Sequence, residues 1–385
     1  MNIASEFMGY PRKLGSAGIR NHLLILPTVI CANRATELIG HAVPEAVVLQ
    51  HPFGCSQIGN DAEQTFRTLA GFATNPNVGA VLVIGLGCET TQSERLAESI
   101  TASGKPVELV KIQSLGGQDE TVRLGIRLAH QMSEELATAK REFCPWAELT
   151  IGVHCADPDD AVMAWANPLV GRVSDFLVAQ GGKVVFSEVP ELLGATARLR
   201  EMANTLDMAS NIDKLLLEWQ ERVIQGDRRI WHLPHTDGPE IATYSVSCGS
   251  LAKAGKGPIQ EVLAYGQKGR KAGLALMDTP CSPAESITGM IAGGATLILL
   301  TTGSAAPLGS PIAPIISMSA NPQAVSILQE HIDLDLTLLQ SGDLSIEDAM
   351  LSLVKLIGQV TSGQKTQTEK LGYRDFAIYR IGPTV

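Results

Sequence analysis

The sequence predicts an α/β protein built from two α/β domains with mostly parallel sheets. Short apolar runs of strand length alternate with amphipathic stretches of helical spacing, which is the pattern that β-α-β units produce. The runs fall into two series, and a charged stretch followed by Pro145 separates them near residues 141–147. At roughly 150 residues per domain, a chain of 385 residues suits about two to three domains. We therefore predict one domain at 1–145 and a second at 146–385.

The first domain contains four apolar runs whose length suits buried strands. They lie at 22–29, 46–51, 80–85 and 106–112. Apolar residues at helical spacing predict helices over Asn60–Ala73 and Thr91–Ala102, and a longer helix over about 117–140. Helices of this kind are the crossovers that a parallel sheet needs between its strands.

The second domain repeats the pattern with five further apolar runs. They lie at 149–154, 183–188, 274–278, 296–302 and 314–319. A helical stretch is predicted at about 190–226, and a less regular, loop-like stretch at 227–257 because it is rich in His, Pro and Asp. After Asn321 the spacing predicts helices and a C-terminal tail.

Composition and charge exclude several classes of protein. The chain has 30 Lys and Arg against 40 Asp and Glu, a net charge of −10, and 45% hydrophobic residues. That hydrophobic content excludes a disordered chain, and the lack of a basic stripe argues against a nucleic-acid partner. No apolar run approaches about 18 residues and no secretion signal opens the chain, so we expect no membrane partner and a cytoplasmic location.

Three cysteines each come soon after a predicted strand. Cys55 follows the second run, Cys88 the third, and Cys155 the first run of the second domain. Ligands of open α/β sheets bind at the carboxyl ends of strands. Thiolates suit iron or zinc, and three of them leave one coordination position for substrate. None of the three has CxxC spacing, so the alternative that they are small buried apolar residues stays open.

Other polar residues are candidates for binding anions or moving protons. His51 and Glu89 lie at the same strand ends as the first two cysteines, and His232 and His235 are candidates for a general base. The loop cations that suit a carboxylate or phosphate are Arg12, Lys13, Arg20, Lys253 and Lys256. No GxGxxG, GxxxxGK[ST], GxSxG or HExxH motif is present, which disfavours a nucleotide site, a serine hydrolase and a zincin.

Several long segments, taken in order, resemble one known family. They are FMGYPRKLGSAGIRNHLLILPTVICAN, HPFGCSQIGND, NPNVGAVLVIGLGCE, ANPLVGRVSDFLVAQGGKVVFSEVPELLGA, GLALMDTP, ESITGMIAGGATLILLTTG and APLGSPIAPII. With these segments the chain resembles the altronate/galactarate dehydratase family, which also contains the large subunit of sulfolactate sulfo-lyase. The resemblance runs from Phe7 to about Phe376.

The resemblance implies a metal-dependent lyase, a hydro-lyase that acts on α-hydroxy acids. Members of the family eliminate water from sugar acids to give 2-keto-3-deoxy acids, usually with iron. The family architecture implies that the first domain forms a homodimer and that the second is a Rossmann-like variant on a parallel sheet. It also implies a separate small β-clip subunit as a partner.

The resemblance and the strand-end pattern together suggest a set of site residues. Cys55, Cys88 and Cys155 would hold iron, as Fe²⁺ or an iron–sulfur cluster, or another divalent metal. Lys253, Glu89 and His51 are the candidate catalytic residues. The candidate substrate-binding residues are Arg20, Asn21, Asp159, Asn167, Asp278 and Thr279.

Departures from the family pattern keep other functions open. Where the family usually reads C-G-G-S-D, this chain reads Cys-Ala-Asp-Pro-Asp at 155–159, and the second domain differs again around 235–247. The alternatives are a sulfolactate-type sulfo-lyase and a catalytically silent paralogue that serves as a binding or scaffold subunit. A nucleotide-binding oxidoreductase is a third alternative that the α/β pattern alone would allow.

Overall fold

The structure is a computed structural model that describes residues 6–225 and 244–382. Within those two ranges, no helix has both the length and the apolar character that crossing a membrane requires. The described residues form two parallel sheets and one small antiparallel ribbon.

The smaller sheet belongs to the first part of the chain and has four parallel strands in the order β3-β2-β4-β5. Its strands are β2 (His22–Pro27), β3 (Val47–Val48), β4 (Val78–Gly85) and β5 (Val107–Lys111). Its helices are α1 (Asn33–Ala42), α2 (Gly59–Ala73), α3 (Ser93–Ala102) and α4 (Gln118–Ala137). All residues of β4 are buried, which explains its unbroken apolar sequence. The ribbon pairs β1 (Glu6–Gly9) with β6 (Glu142–Pro145).

The larger sheet has seven parallel strands in the order β13-β12-β11-β7-β8-β10-β9. Its strands are β7 (Thr150–Cys155), β8 (Lys183–Phe186), β9 (Ile259–Leu263), β10 (Gly273–Met277), β11 (Leu297–Thr301), β12 (Ile315–Ser319) and β13 (Leu334–Asp335). Its helices are α5 (Asn167–Ala179), α6 (Thr196–Glu201), α7 (Leu206–Gln225), α8 (Tyr244–Leu251), α9 (Pro283–Ala292), α10 (Pro322–Ile327), α11 (Thr337–Ser341), α12 (Ile346–Thr361) and α13 (Gln367–Leu371). Short 3₁₀ turns at Val189–Ala195 and Ala252–Ala254 come after β8 and α8.

The predicted α/β class with mostly parallel sheets is confirmed, and each predicted apolar run contains a strand. The prediction of an irregular stretch at 227–257 is wrong where α8 forms. The single helix predicted at about 190–226 is instead a 3₁₀ turn followed by α6 and α7. Small polar residues give α8 no amphipathic pattern, and packing against the turn Val189–Ala195 holds it in place.

A shared apolar core and two buried asparagines join the two sheets. Leu24 and Val81 of the smaller sheet belong to the same core as Met277 and Ile298 of the larger one. Asn77 Nδ2 donates to the carbonyls of Thr296 and Ile312 at 2.8 and 3.0 Å, while its Oδ1 accepts from the backbone amide of Ile19 at 2.9 Å. Asn75 Nδ2 donates to two more carbonyls of the larger-sheet half, at residues 291 and 295. The amino-terminal edges of the sheets are therefore tied together by hydrogen bonds.

Replacement of Asn77 by alanine should lower the free energy of unfolding by about 3 kcal/mol, because it leaves several buried backbone groups without partners. Urea or thermal unfolding measures the loss. Asn204→Ala is the matched control, since the side chain of Asn204 is exposed and bonds to the Gln260 side chain, and its loss should change stability little. Equal stability of the two variants would contradict this account of how the sheets are joined.

Candidate active site at the carboxyl edge of the larger sheet

A buried cluster of charged side chains lies at the carboxyl edge of the larger sheet. Glu188 follows β8, and its Oε2 lies 2.8 Å from Nζ of Lys253, with both side chains almost completely excluded from solvent. Lys253 Nζ also donates to the carbonyl of Ser250 at 3.0 Å, and Ser250 Oγ donates to Glu191 Oε2 at 2.8 Å. One lysine and two carboxylic acids are therefore enclosed together where parallel strands end, which is where α/β proteins bind ligands.

Backbone geometry and hydrogen bonds fix Glu188 in this position. Its φ of 67° is left-handed, a conformation that costs a non-glycine residue about 1 kcal/mol and that clusters at functional sites. Its Oε1 accepts from the amide of Cys155 at 2.9 Å, and its own amide donates to Thr279 Oγ1 at 3.0 Å. Glu188 is therefore held from both neighbours of β8, through its carboxylate at the end of β7 and through its backbone amide after β10.

The charges of the cluster shift the pKa values of its members. Burial alone would lower the pKa of Lys253, but Glu188 and Glu191 outweigh burial and raise it, so the ammonium persists. Burial and the neighbouring Glu188 raise the pKa of Glu191 to about 7. The cluster thus contains a permanent cation and a carboxyl group that exchanges its proton near neutral pH, which is what a general acid or base requires.

The raised pKa of Glu191 predicts a pH-dependent stability. A glutamic acid in an unfolded chain has a pKa of about 4.3, so the folded protein retains a proton that the unfolded chain releases. This contribution is fully present below about pH 4 and is lost as the pH rises through about 7. We expect the Tm of the wild type to fall more steeply than that of Glu191→Gln between about pH 5 and pH 8. The exposed-site control Glu201→Gln should keep the wild-type slope, and parallel curves for Glu191→Gln and the wild type would exclude this titration.

Besides Lys253, two of the sequence-predicted residues contact Glu188, and a third, Asn167, joins elements at the same edge of the sheet. Thr279 Oγ1 accepts from Glu188 and lies 3.0 Å from Ser286 Oγ. Asn167 Oδ1 accepts from Thr301 Oγ1 at 2.7 Å, and its Nδ2 donates to Gly249 O at 3.1 Å, which ties α5 to β11 and α8. Cys155 lies at the end of β7, and burial raises the pKa of its thiol, so it is a neutral thiol. Lys253, Thr279 and Cys155 all contact or closely approach Glu188.

Asp159 and Asp278 lie at the same edge of the larger sheet with other contacts. Asp159 Oδ1 accepts from the amide of Val162 at 2.7 Å, and its Oδ2 accepts from Asn321 Nδ2 at 2.8 Å. Asp278 Oδ1 accepts from Trp219 Nε1 at 2.7 Å, and burial raises its pKa. Both carboxylates already have protein donors, and they hold neighbouring segments in place.

His51 and Glu89 lie at the carboxyl edge of the smaller sheet. Glu89 Oε1 accepts from Thr28 Oγ1 at 2.8 Å, and its carboxylate also accepts from the backbone amides of residues 86 and 87. The ring of His51 is buried, with Nε2 at 2.8 Å from Pro27 O and Nδ1 accepting from the amide of Phe53 at 3.2 Å. Burial lowers the pKa of His51, and both ring nitrogens bond to backbone. The imidazole therefore supports the turn that precedes Cys55.

Arg20 and Asn21 lie at the opposite, amino-terminal edge, because they directly precede β2. The guanidinium of Arg20 forms a two-point ion pair with Glu369 at 2.8 and 2.7 Å, and its remaining N–H groups donate to backbone carbonyls. Asn21 accepts from Arg12 and donates to Leu136 O. The structure does not bring these two residues together with the buried cluster.

The arrangement of the three cysteines does not match a three-thiolate metal site. Cys55 and Cys88 are exposed in loops of the smaller sheet, whereas Cys155 is buried beside Glu188 as a neutral thiol. Across 6–225 and 244–382, His, Cys, Asp and Glu form no group of three or more that could hold a metal ion. The three thiols do not fit one iron in this conformation.

Sequence reasoning missed Glu188, Glu191 and Cys281. Glu188 is the last residue of the predicted strand at 183–188, and Glu191 lies three residues later. The strand-end rule that selected Cys55, Cys88 and Cys155 could therefore have found both glutamates. Removal from water and the nearby Glu191 and Glu188 raise the pKa of the Cys281 thiol well above its ordinary value, which places this cysteine beside the cluster. His232 and His235 lie outside the described residues.

Comparison with known proteins covers both parts of the chain. Residues 9–137 match the family model of the D-galactarate dehydratase/altronate hydrolase second domain, and residues 146–384 match that of the D-galactarate/altronate dehydratase C-terminal domain. An altronate dehydratase of Bacillus subtilis is 33% identical, over 98% of this chain and 78% of that protein. The (2R)-sulfolactate sulfo-lyase subunit beta of Chromohalobacter salexigens is 30% identical, over 97% of each chain.

A third relative is a dehydratase named for a different sugar acid. The galactarate dehydratase (L-threo-forming) of Escherichia coli is 32% identical, over 98% of this chain and 77% of that protein. The matches extend over nearly the whole sequence, as the resemblance predicted. The chain therefore belongs to the altronate/galactarate dehydratase family.

Proposed function

We propose that this protein is a lyase, a sugar-acid dehydratase that removes water from an α-hydroxy acid to give a 2-keto-3-deoxy acid. The similarity to two dehydratases supports the reaction class. The observation that carries the proposal is the buried Lys253–Glu188–Glu191 cluster at the carboxyl edge of the larger sheet. A proton near a carboxylate is weakly acidic, and this cluster supplies both a cation and a group that titrates near pH 7.

The elimination needs one base, one acid and a cation. A base takes the proton on the carbon next to the substrate carboxylate, and the electron pair of that C–H bond forms a carbon–carbon double bond. The C–O bond at the next carbon breaks, and its hydroxyl leaves as water after it receives a proton. The resulting enol then takes a proton on carbon and releases its hydroxyl proton, which gives the 2-keto acid.

We assign these roles to Lys253, Glu191 and Glu188. Lys253 stabilises the negative charge that grows on the substrate carboxylate as the proton leaves. The attraction between a fixed ammonium and this charge is stronger in a site that excludes water than in solution. Glu191 removes or returns the proton, since its pKa of about 7 matches that task. Glu188 orients Lys253 through their 2.8 Å contact.

The proposal requires the cluster to open. Lys253 is 1% exposed in this structure, so substrate reaches it only if a covering segment moves. Among the described segments, helix α8 lies over Glu191, through the Ser250 Oγ–Glu191 bond and the bond from the amide of Gly194 to Ser247 Oγ at 3.0 Å. Substrate entry must therefore break contacts between α8 and the turn Val189–Ala195.

A product screen tests the proposal directly. The full chain, prepared without oxygen and supplied in turn with Fe²⁺, other divalent metals or no metal, is incubated with altronate, galactarate and related aldonates and aldarates. We expect one of these acids to yield a 2-keto acid, detected as its semicarbazone. Lack of product from every acid under all metal conditions would favour the silent paralogue over the enzyme.

A sulfolactate-type sulfo-lyase is the second candidate. The observation that favours it is that the match to the sulfo-lyase subunit beta covers 97% of that chain. A base again removes the proton next to the carboxylate, and sulfite leaves from the next carbon in place of water. Release of sulfite from sulfolactate, without keto acid from the sugar acids, would select this candidate.

We also propose that the chain forms a homodimer and binds a separate small subunit. The name of one relative, a subunit beta, supports an assembly with a further subunit, for which the resemblance implies a small one. The homodimer is what the resemblance implies. Light scattering of the purified chain, alone and after co-expression with candidate small subunits, measures both. We expect a mass of twice the chain, increased by the small subunit when it is present.

A further inference from the structure

His154 is a fully buried imidazole that the proposed chemistry has not yet used. It is the residue before Cys155 in β7, and consecutive strand residues point to opposite faces of a sheet. Cys155 belongs to the core on the α5 side, and Gly152, which shares a face with His154, abuts Met290 of α9. His154 therefore approaches the edge of the sheet from the α9 side.

The imidazole lies next to the carboxylate that orients Lys253. Its Nδ1 is 3.3 Å from Glu188 Oε1, and neither ring nitrogen has a hydrogen bond to a described residue. Buried polar atoms without partners are rare, so each needs an explanation. Contacts between catalytic groups are commonly long in free enzymes and shorten when substrate binds.

We propose that His154 is a positioning residue that, as a neutral Nδ1–H imidazole, holds Oε1 of Glu188 so that Oε2 faces Lys253. The two carboxylate oxygens then have separate partners. His154 and the Cys155 amide lie at Oε1, and Lys253 lies at Oε2. Without the imidazole, Oε1 keeps the bond from the Cys155 amide but loses its second partner, so the carboxylate turns away from the ammonium more easily and orients it less well toward substrate. This inference deepens the proposed function and rests on it.

Two substitutions separate positioning from packing. His154→Asn keeps an N–H at the position of Nδ1, whereas His154→Leu keeps the volume and removes the donor. We expect kcat with the acid found in the product screen to stay within about 3-fold in His154→Asn and to fall about 10- to 100-fold in His154→Leu, with KM nearly unchanged. Equal kcat in the two variants, at equal Tm, would overturn the inference.

A second buried histidine provides the matched control. His331 is also buried, and its Nε2 lies 3.2 Å from Tyr373 Oη, away from the cluster. His331→Leu should lower the Tm comparably and leave kcat unchanged. A loss of kcat in His331→Leu as large as that in His154→Leu would mean that the effect is general destabilisation, and it would overturn the inference.

An NMR measurement tests the positioning without any turnover. In wild-type protein labelled with ¹⁵N-histidine, the His154 signals, assigned by their absence in His154→Asn, should show the proton on Nδ1. A proton on Nε2 overturns the inference even if the protein is an active dehydratase. If no acid is turned over but the Nδ1–H form is present, the proposed function fails while the positioning of Glu188 stands.

Discussion

Replacing Lys253 by methionine should reduce kcat/KM for the hydroxy acid by about 10³-fold or more, because the cation that stabilises the developing negative charge is lost. The same change leaves Glu188 as a buried carboxylate without a counter-ion, which should destabilise the fold by about 3–5 kcal/mol. Steady-state kinetics well below the Tm of the variant measure the first effect, and urea unfolding measures the second.

The control for this variant lies three residues along the chain. Lys256 is exposed, so Lys256→Met removes the same charge from the same segment without touching the cluster and should retain wild-type kinetics. The double variant Lys253→Met/Glu188→Gln separates catalysis from folding, because it removes both buried charges. We expect it to recover stability but not turnover. Near-wild-type turnover in that double variant would show that Lys253 has no part in the chemistry.

Glu191→Gln should lower kcat by about 10²- to 10⁴-fold, the usual contribution of a general acid or base. In the wild type, the base is active once its proton has left, so kcat/KM, which reports the free enzyme, should rise as the pH increases through about 7. Glutamine keeps the size of the side chain and cannot titrate, so the residual activity should lose this dependence. The fall in stability should begin near pH 4 and level off above about pH 7, whereas the rise in activity should be centred on about pH 7.

A pH–rate profile from about pH 5 to pH 9 measures this effect, with Glu201→Gln as the control that retains the wild-type profile. Glu201 pairs with Arg198 at the surface and has no contact with the cluster. An unchanged profile in Glu191→Gln would assign the proton transfer to another residue, of which Glu89 is the first candidate.

The strands of both sheets were predictable because they are buried on both faces. β4 and β11 are continuous apolar runs, as strands covered by helices on both sides must be. The strands β3 and β13 have two residues each, too few to show a pattern of apolar residues, and α8 has no apolar face. For these elements, pairing and packing with distant segments decide the structure, and a local pattern does not contain that information.

The sequence predicted that the candidate site lies at the carboxyl ends of strands, but it did not predict which side chains meet there. Lys253 was a candidate because it is a loop cation, but its partner Glu188 comes from a distant part of the sequence. Arg20 is also a loop cation in the sequence, yet its guanidinium already pairs with Glu369 and donates to backbone carbonyls. His51 likewise has both nitrogens bonded to backbone. Whether a polar side chain is available for chemistry depends on such contacts, which spacing along the chain does not reveal.

A crystal structure with the hydroxy acid that is turned over shows where substrate binds; it uses the wild type if turnover is slow and Glu191→Gln if turnover is fast. We predict that one carboxylate oxygen of the acid lies about 3 Å from Nζ of Lys253, with α8 displaced from the turn Val189–Ala195. An acid bound instead in the loops of Cys55, Cys88 and Glu89, with the Lys253–Glu188 pair still enclosed, would contradict this prediction.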